Sequence, residues 1–141
     1  MKLLLAILIV VAATNCNSAK TLDKKEEVNQ TKEEPSGTYV VNLLNGKNIS
    51  DQELTLKFDN RNNNLSGFSG CNIYRCSYKI TEDSFKIGIP GASKRYCENT
   101  MDLETKFFEA LSTISKYEYK ENAIHFMNQN NDLIMTATKP E

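Results

Sequence analysis

The chain has 141 residues, 40% hydrophobic and 25% charged, with 17 basic against 18 acidic side chains and a net charge of −1. That is the make-up of an ordinary soluble domain, with room for one such domain once a leader and a linker are set aside. A charge balance this even, with only three arginines among the basic residues, offers no electrostatic footprint for nucleic acid.

Lys2 is followed by an unbroken apolar run from Leu3 to Ala13, 11 residues long. A helix crossing a bilayer needs ~20 residues, so the run suits the apolar region of a signal peptide instead. A core helix would show a polar face, and this run has none. Export is therefore expected. Ala13-Thr14-Asn15-Cys16 resembles a bacterial lipobox, whose cysteine receives the lipid. Asn15 stands where Gly or Ala is usual and Ala13 where Leu is commoner, so simple cleavage near Ala19 stays open. Asn17 to Gly37 is polar, rich in Lys and Glu, and too poor in apolar residues to fold, so it reads as a tether. The expected organisation is a lipoprotein-type signal peptide over 1–15, lipidated Cys16 with its tether through 37, and a folded domain over 38–141.

From Thr38 the pattern takes period two, the signature of a strand. Tyr39, Val41 and Leu43 alternate with Val40, Asn42 and Leu44, and Asn45-Gly46 marks a turn. Over Glu53 to Asp59, Leu54, Leu56 and Phe58 share one face. Asn60 to Asn64 is a turn by composition, with a partner strand from Leu65 to Phe68. Tyr78 and Ile80 alternate, and after Glu82-Asp83 the alternation resumes at Phe85, Ile87 and Ile89. Gly88 to Ser93 holds Pro90-Gly91 and is expected to be a loop. Leu103, Phe107, Ala110, Leu111 and Ile114 recur at helical spacing. Asn99 or Thr100 is placed to cap that helix, with Asp102 and Glu104 at its positive end. Short strands follow at Tyr117 to Lys120, Ala123 to Met127 and Leu133 to Thr138. The predicted fold is mainly β, a small antiparallel meander curled into a barrel or half-barrel with one late helix.

Gly67-Phe68-Ser69-Gly70-Cys71-Asn72-Ile73-Tyr74 resembles the Gly-x-x-Gly-Cys-Asn-x-(Tyr/Phe) signature of the META (HslJ-like) domain family. Downstream, Ser93-Lys94-Arg95-Tyr96-Cys97 stands where that family has Thr-(Lys/Arg)-Met-Ala-Cys, and an acidic residue and helix follow, matching Glu104, Phe107 and Leu111. The resemblance spans roughly residues 38 to 138. The chain departs from the pattern with Cys76 where the family has Gly and Tyr39 where it has Trp. The resemblance implies a compact β domain of the lipocalin-like class, often exported and often lipidated, and no known enzyme activity. The family-motif positions are Gly67, Gly70, Cys71, Asn72, Tyr74 and Cys97.

In an oxidising compartment a disulfide is the default for the three cysteines of the domain. Cys71 and Cys97 match the family's positions, which makes them the first pair, and Cys76 with Cys97 the runner-up. Cys71 and Cys76 are an odd number apart and would face opposite ways on an unbroken strand. Three thiols with His125 could form a Cys₃His zinc site, but no Cys-x-x-Cys is present and an exported thiol oxidises readily. No metal or cofactor is expected. His125 alternates with Ile124 and Phe126 and reads as a structural histidine, not a catalytic base. The run from Gly67 to Cys71 falls short of a Gly-x-Ser-x-Gly elbow, because Cys71 takes the final glycine's place. Tyr74, Tyr78, Tyr117 and Tyr119 could line a ligand mouth, although a barrel this small is usually filled by its own side chains.

The expectation is a non-enzymatic, lipid-anchored envelope protein with the membrane as its partner, acting by binding or by supporting the envelope under stress. A binder of a small apolar ligand inside the barrel, and a thiol-based redox protein using Cys76 or Cys97, are the alternatives.

Overall fold

The computed structural model describes residues 33–140. The signal sequence, Cys16 and most of the expected tether lie outside the described residues. The chain runs through β1 (Gly37–Leu44), β2 (Lys47–Asn48), a 3-10 turn at Ser50–Gln52, β3 (Thr55–Asp59), β4 (Asn64–Phe68) and β5 (Ile73–Ile80). It continues through β6 (Phe85–Ile87), β7 (Gly91–Ala92), α1 (Met101–Thr113), β8 (Lys116–Lys120), β9 (Ala123–Met127) and β10 (Leu133–Thr138).

Every pairing is antiparallel, in the order β6-β5-β4-β3-β1-β10-β9-β8, with β2 added to β1 and β7 to β5. The first and last strands thus meet, and the sheet curls until Phe85 N–H donates to Ser115 C=O at 2.8 Å across the remaining gap. The described residues form a nearly closed barrel with one α-helix. Lys32–Glu141 form one compact unit, within which the sheet and the described core are complete.

Alternation dictates most of the core: Leu54, Leu56 and Phe58 point inward, as do Tyr74, Cys76 and Tyr78 on β5 and Ile124 and Phe126 on β9. β1 departs from the expected face. Tyr39 and Val41 are buried, but the third inward residue is Leu44 instead of Leu43. Asn42 is an extra residue in the ladder to β10, and a bulge there reverses the side on which later residues emerge. Asn45 and Gly46, at φ 48° and 78°, then close a two-residue hairpin into β2.

The second departure follows Ile87. Gly88 N–H still bonds Ser77 C=O at 2.8 Å, but Pro90 has no N–H to continue the ladder, and Ile89 turns out to water with 97% of its surface exposed. Within the segment expected to be loop, Gly91 and Ala92 return to β5 as a two-residue strand.

The barrel's middle is filled by rings. Phe58 lies 5.4 Å from Tyr78, 5.9 Å from Tyr39 and 6.3 Å from both Phe85 and Phe126, while Phe85 lies 5.3 Å from Tyr117. The edge-to-face pairs among them, Phe58 with Tyr78 and Tyr39 and Phe85 with Tyr117, add ~0.5–1.5 kcal/mol each beyond the area they bury. Helix α1 brings Phe107, Ala110 and Leu111 into the same core, with Phe107 and Phe108 both against the Tyr74 ring.

Candidate functional site

The motif segment forms one hydrogen-bonded node. Gly67 lies on β4 close against the backbone of β3, and a Cβ there would fall on the carbonyl oxygen of Thr55. That same carbonyl accepts the Tyr74 hydroxyl at 2.9 Å, while the Thr55 hydroxyl accepts the Phe68 N–H at 2.9 Å. Gly70 adopts φ +95°, which a residue with a Cβ rarely takes, and this turns the chain between β4 and β5.

Inside that turn lies Asn72, with its bonding capacity fully used. Its Nδ2 donates to Glu104 Oε1 at 2.8 Å and Arg95 C=O at 3.3 Å; its Oδ1 accepts from Ser93 Oγ at 2.8 Å and Arg95 N–H at 2.9 Å. Asn72 N–H donates to Glu104 Oε2 at 3.0 Å, and the buried Ser69 hydroxyl touches the same oxygen. Ser69 Oγ also lies 2.8 Å from the Asn72 carbonyl. Its single proton serves one of these acceptors at a time.

Cys71 and Cys97 are joined by a disulfide, and the Arg95 guanidinium donates to Cys71 C=O at 2.9 Å. Cys71 precedes β5, in the turn, so the odd spacing to Cys76 has no bearing on which way it faces. Both sulfurs can therefore lie inside. Among the described residues Cys76 is the free cysteine, only 5% exposed, and burial pushes its thiol up to about 11. A thiol so held is almost wholly protonated at neutral pH and a poor nucleophile.

The Ser69–Glu104 pair is no catalytic arrangement, because Ser69 is fully buried and its hydroxyl is committed to structural acceptors. His125 stands half-buried on β9, across the ladder from Glu118 and Thr136. Cys76 faces the core, whereas His125 takes the opposite side of β9 from the buried Ile124 and Phe126, so the four groups of the weighed zinc site are not brought together. Among the described residues, no group of three or more His, Cys, Asp or Glu is placed to hold a metal.

The tyrosine mouth does not assemble either. Tyr74, Tyr78 and Tyr117 are core residues, and burial raises all three hydroxyls, Tyr117 to about 12 with Glu34 adding to the effect. Only Tyr119 reaches a rim, where its hydroxyl meets that of Tyr39 at 3.0 Å beside an open cleft of about 610 Å³. Burial first, then that bond, raises Tyr119. A second cleft of about 540 Å³ lies between the β1–β2 hairpin and the start of α1. Both are surface features, and the packed rings leave the apolar-cavity reading without support.

Sequence reasoning missed Glu104 as a member of the node. It reads as a dipole-matching acid in the first helical turn, yet it is buried against Asn72 while Asp102 alone stays exposed there. Thr100, the N-cap, makes no side-chain cap bond.

The META domain family model matches residues 32–141. Solved structures of similar fold include an NMR structure of a protein from Burkholderia xenovorans, with a TM-score of 0.58 at 19% identity over 75% of this chain and 83% of that one. A crystal structure of a DUF4847 family protein from Bacteroides vulgatus gives 0.55 at 12% identity, over 73% and 92%. At such identities the likeness concerns the fold alone. No curated protein matches the chain.

Proposed function

The chain belongs to the META domain family, and on that premise we propose an exported, lipid-anchored envelope protein that acts without catalysis, by binding or by supporting the envelope under stress. The observation that carries this reading is the use to which the motif is put. Gly67, Gly70, Cys71, Asn72 and Tyr74 are spent on backbone approach, turning, cross-linking and clamping. None presents a nucleophile or base to solvent. A disulfide at the centre of this node suits an oxidising compartment, in keeping with the apolar leader and the cysteine at its end. The polar stretch behind Cys16 has the composition of a tether, which a domain held at a membrane needs.

Metabolic labelling with a fatty-acid probe tests the anchor. The full chain should incorporate label and fractionate with membranes, and Cys16→Ala should lose both. Label retained in Cys16→Ala ends the lipoprotein reading. Alkylation of the folded protein tests the absence of thiol chemistry: rapid modification of Cys76 at neutral pH would restore the redox alternative.

A further inference from the structure

One face of the barrel differs from the rest of this nearly neutral molecule. β3 and β5 turn Lys57, Arg75 and Lys79 outward, and β6 turns out Lys86. The ladder sets Lys57, Ser66 and Arg75 in one row across three strands. It places Lys79 directly opposite Lys86, a like-charge pairing that weakens a sheet. Within the strands β3 to β6 the one carboxylate of this face is Asp59, already engaged by Arg61 N–H at 3.1 Å and the Asn62 amide at 2.8 Å; the exposed Glu82 and Asp83 stand in the β5–β6 turn, beyond the Lys79–Lys86 pair.

Apolar groups lie among these cations. Phe68 pairs with Ile73, which is 66% exposed, in the row beside Arg75. A shallow groove of about 430 Å³ runs over these residues to Gly91. β7 holds the 88–97 loop along this edge, with Ser93 N–H on Ile73 C=O at 3.1 Å, so Lys94 and Arg95 border the face. The same loop carries Ile89 and Tyr96, 97% and 79% exposed.

Nucleic acid would meet the cations but gain little from exposed isoleucines. A membrane interface rewards both, because anionic headgroups attract Lys and Arg while Ile and Tyr settle at the acyl boundary. We propose that the outer face of β3 to β6, with the 88–97 loop, docks the domain onto an anionic lipid surface. The inference rests on the membrane-anchored reading and adds which side of the domain meets the bilayer.

Residues 32–141 hold the whole sheet, the core and the disulfide, so docking can be measured without leader or anchor, and its failure is separate from a failure of acylation. The domain should sediment with vesicles of mixed phosphatidylcholine and phosphatidylglycerol. On phosphatidylcholine alone it should bind at least about tenfold more weakly, and salt should release it. At about fivefold per cation, the combined Lys57→Glu, Arg75→Glu and Lys94→Glu variant should lose roughly a hundredfold in affinity. Reversing Lys47, Lys106 and Lys139 instead should leave binding nearly intact. The chain has no tryptophan, so Ile89→Trp gives a single emission that should shift blue on the anionic vesicles. That variant alters an exposed side chain and reads docking even if the triple reversal misfolds. No binding, equal binding to both vesicles, equal losses from the two reversals, or binding with unmoved Ile89→Trp emission would each overturn the proposal.

Discussion

Asn72 and Glu104 meet through two parallel hydrogen bonds, backbone N–H to Oε2 at 3.0 Å and Nδ2 to Oε1 at 2.8 Å. The carboxylate belongs to the first turn of α1 and the amide to the turn between β4 and β5, so this contact fixes the helix to the barrel. Both side chains are buried, which makes each dependent on the other for its polar partners.

Removing either side should therefore be expensive. Asn72→Ala strips the carboxylate of one donor and leaves Ser93 Oγ and Arg95 N–H without their acceptor; Glu104→Ala leaves the Asn72 N–H unmet and Nδ2 with Arg95 C=O alone. Each should lower the unfolding free energy by about 2–4 kcal/mol in urea titrations. The double variant should fall short of the sum by at least about 1 kcal/mol. Simple additivity would mean that the clamp is not a coupled unit.

The two motif glycines separate two kinds of constraint. Gly67→Ala pushes a methyl group onto the Thr55 carbonyl and forces β3 and β4 apart, while Gly70→Ala meets only ordinary contacts with Leu54 and Leu103 but must hold φ +95°. Gly70→Ala should cost about 1–2 kcal/mol. Gly67→Ala should exceed it, because backbone cannot move aside as a side-chain tip can. Thermal melts of the pair decide the order, and equal shifts would contradict the close approach of Gly67 to Thr55.

Strands that alternate cleanly, such as Leu54, Leu56 and Phe58 or the run through Ile124 and Phe126, were legible because one face is apolar and the other is not. β1 was not, because Val40, Leu43 and Leu44 are apolar too and either register satisfies the pattern. Only the ladder to β10 reveals that Asn42 is the extra residue. Glu104 fits the local rule for helix starts, and nothing local marks a partner as far back in sequence as Asn72. The cationic face is invisible for a related reason: Lys57, Arg75, Lys79 and Lys86 are dispersed along a chain of balanced charge and converge only through strand register.

The Cys71–Cys97 bond ties this turn to the segment before α1, with a sequence separation of 26. In the chain-entropy account a loop of that size stabilises by about 3 kcal/mol. Reduction, or Cys97→Ser, should lower the urea midpoint accordingly while the slope rises, because the reduced unfolded chain exposes more surface. An unchanged midpoint on reduction would show that the Asn72 clamp alone holds the segment.

Cys76 gives the alkaline limb of stability its sign. Its ordinary thiol value is 9.0 and burial raises it to about 11 in the folded state, so the folded chain keeps a proton that the unfolded chain gives up between those values. The stabilisation is complete below pH 9 and fades as pH climbs toward 11. By linkage its size is at most about 2–3 kcal/mol. Buried Tyr74 and Tyr117, raised by the same cause, extend the decline to higher pH. Urea midpoints taken from pH 8 to 11 should fall steadily, and Cys76→Ala, although less stable at pH 8, should fall less steeply between 9 and 11. Parallel slopes for the two proteins would mean that the thiol titrates alike folded and unfolded, which a side chain shut in behind Leu65 and Tyr74 should not do.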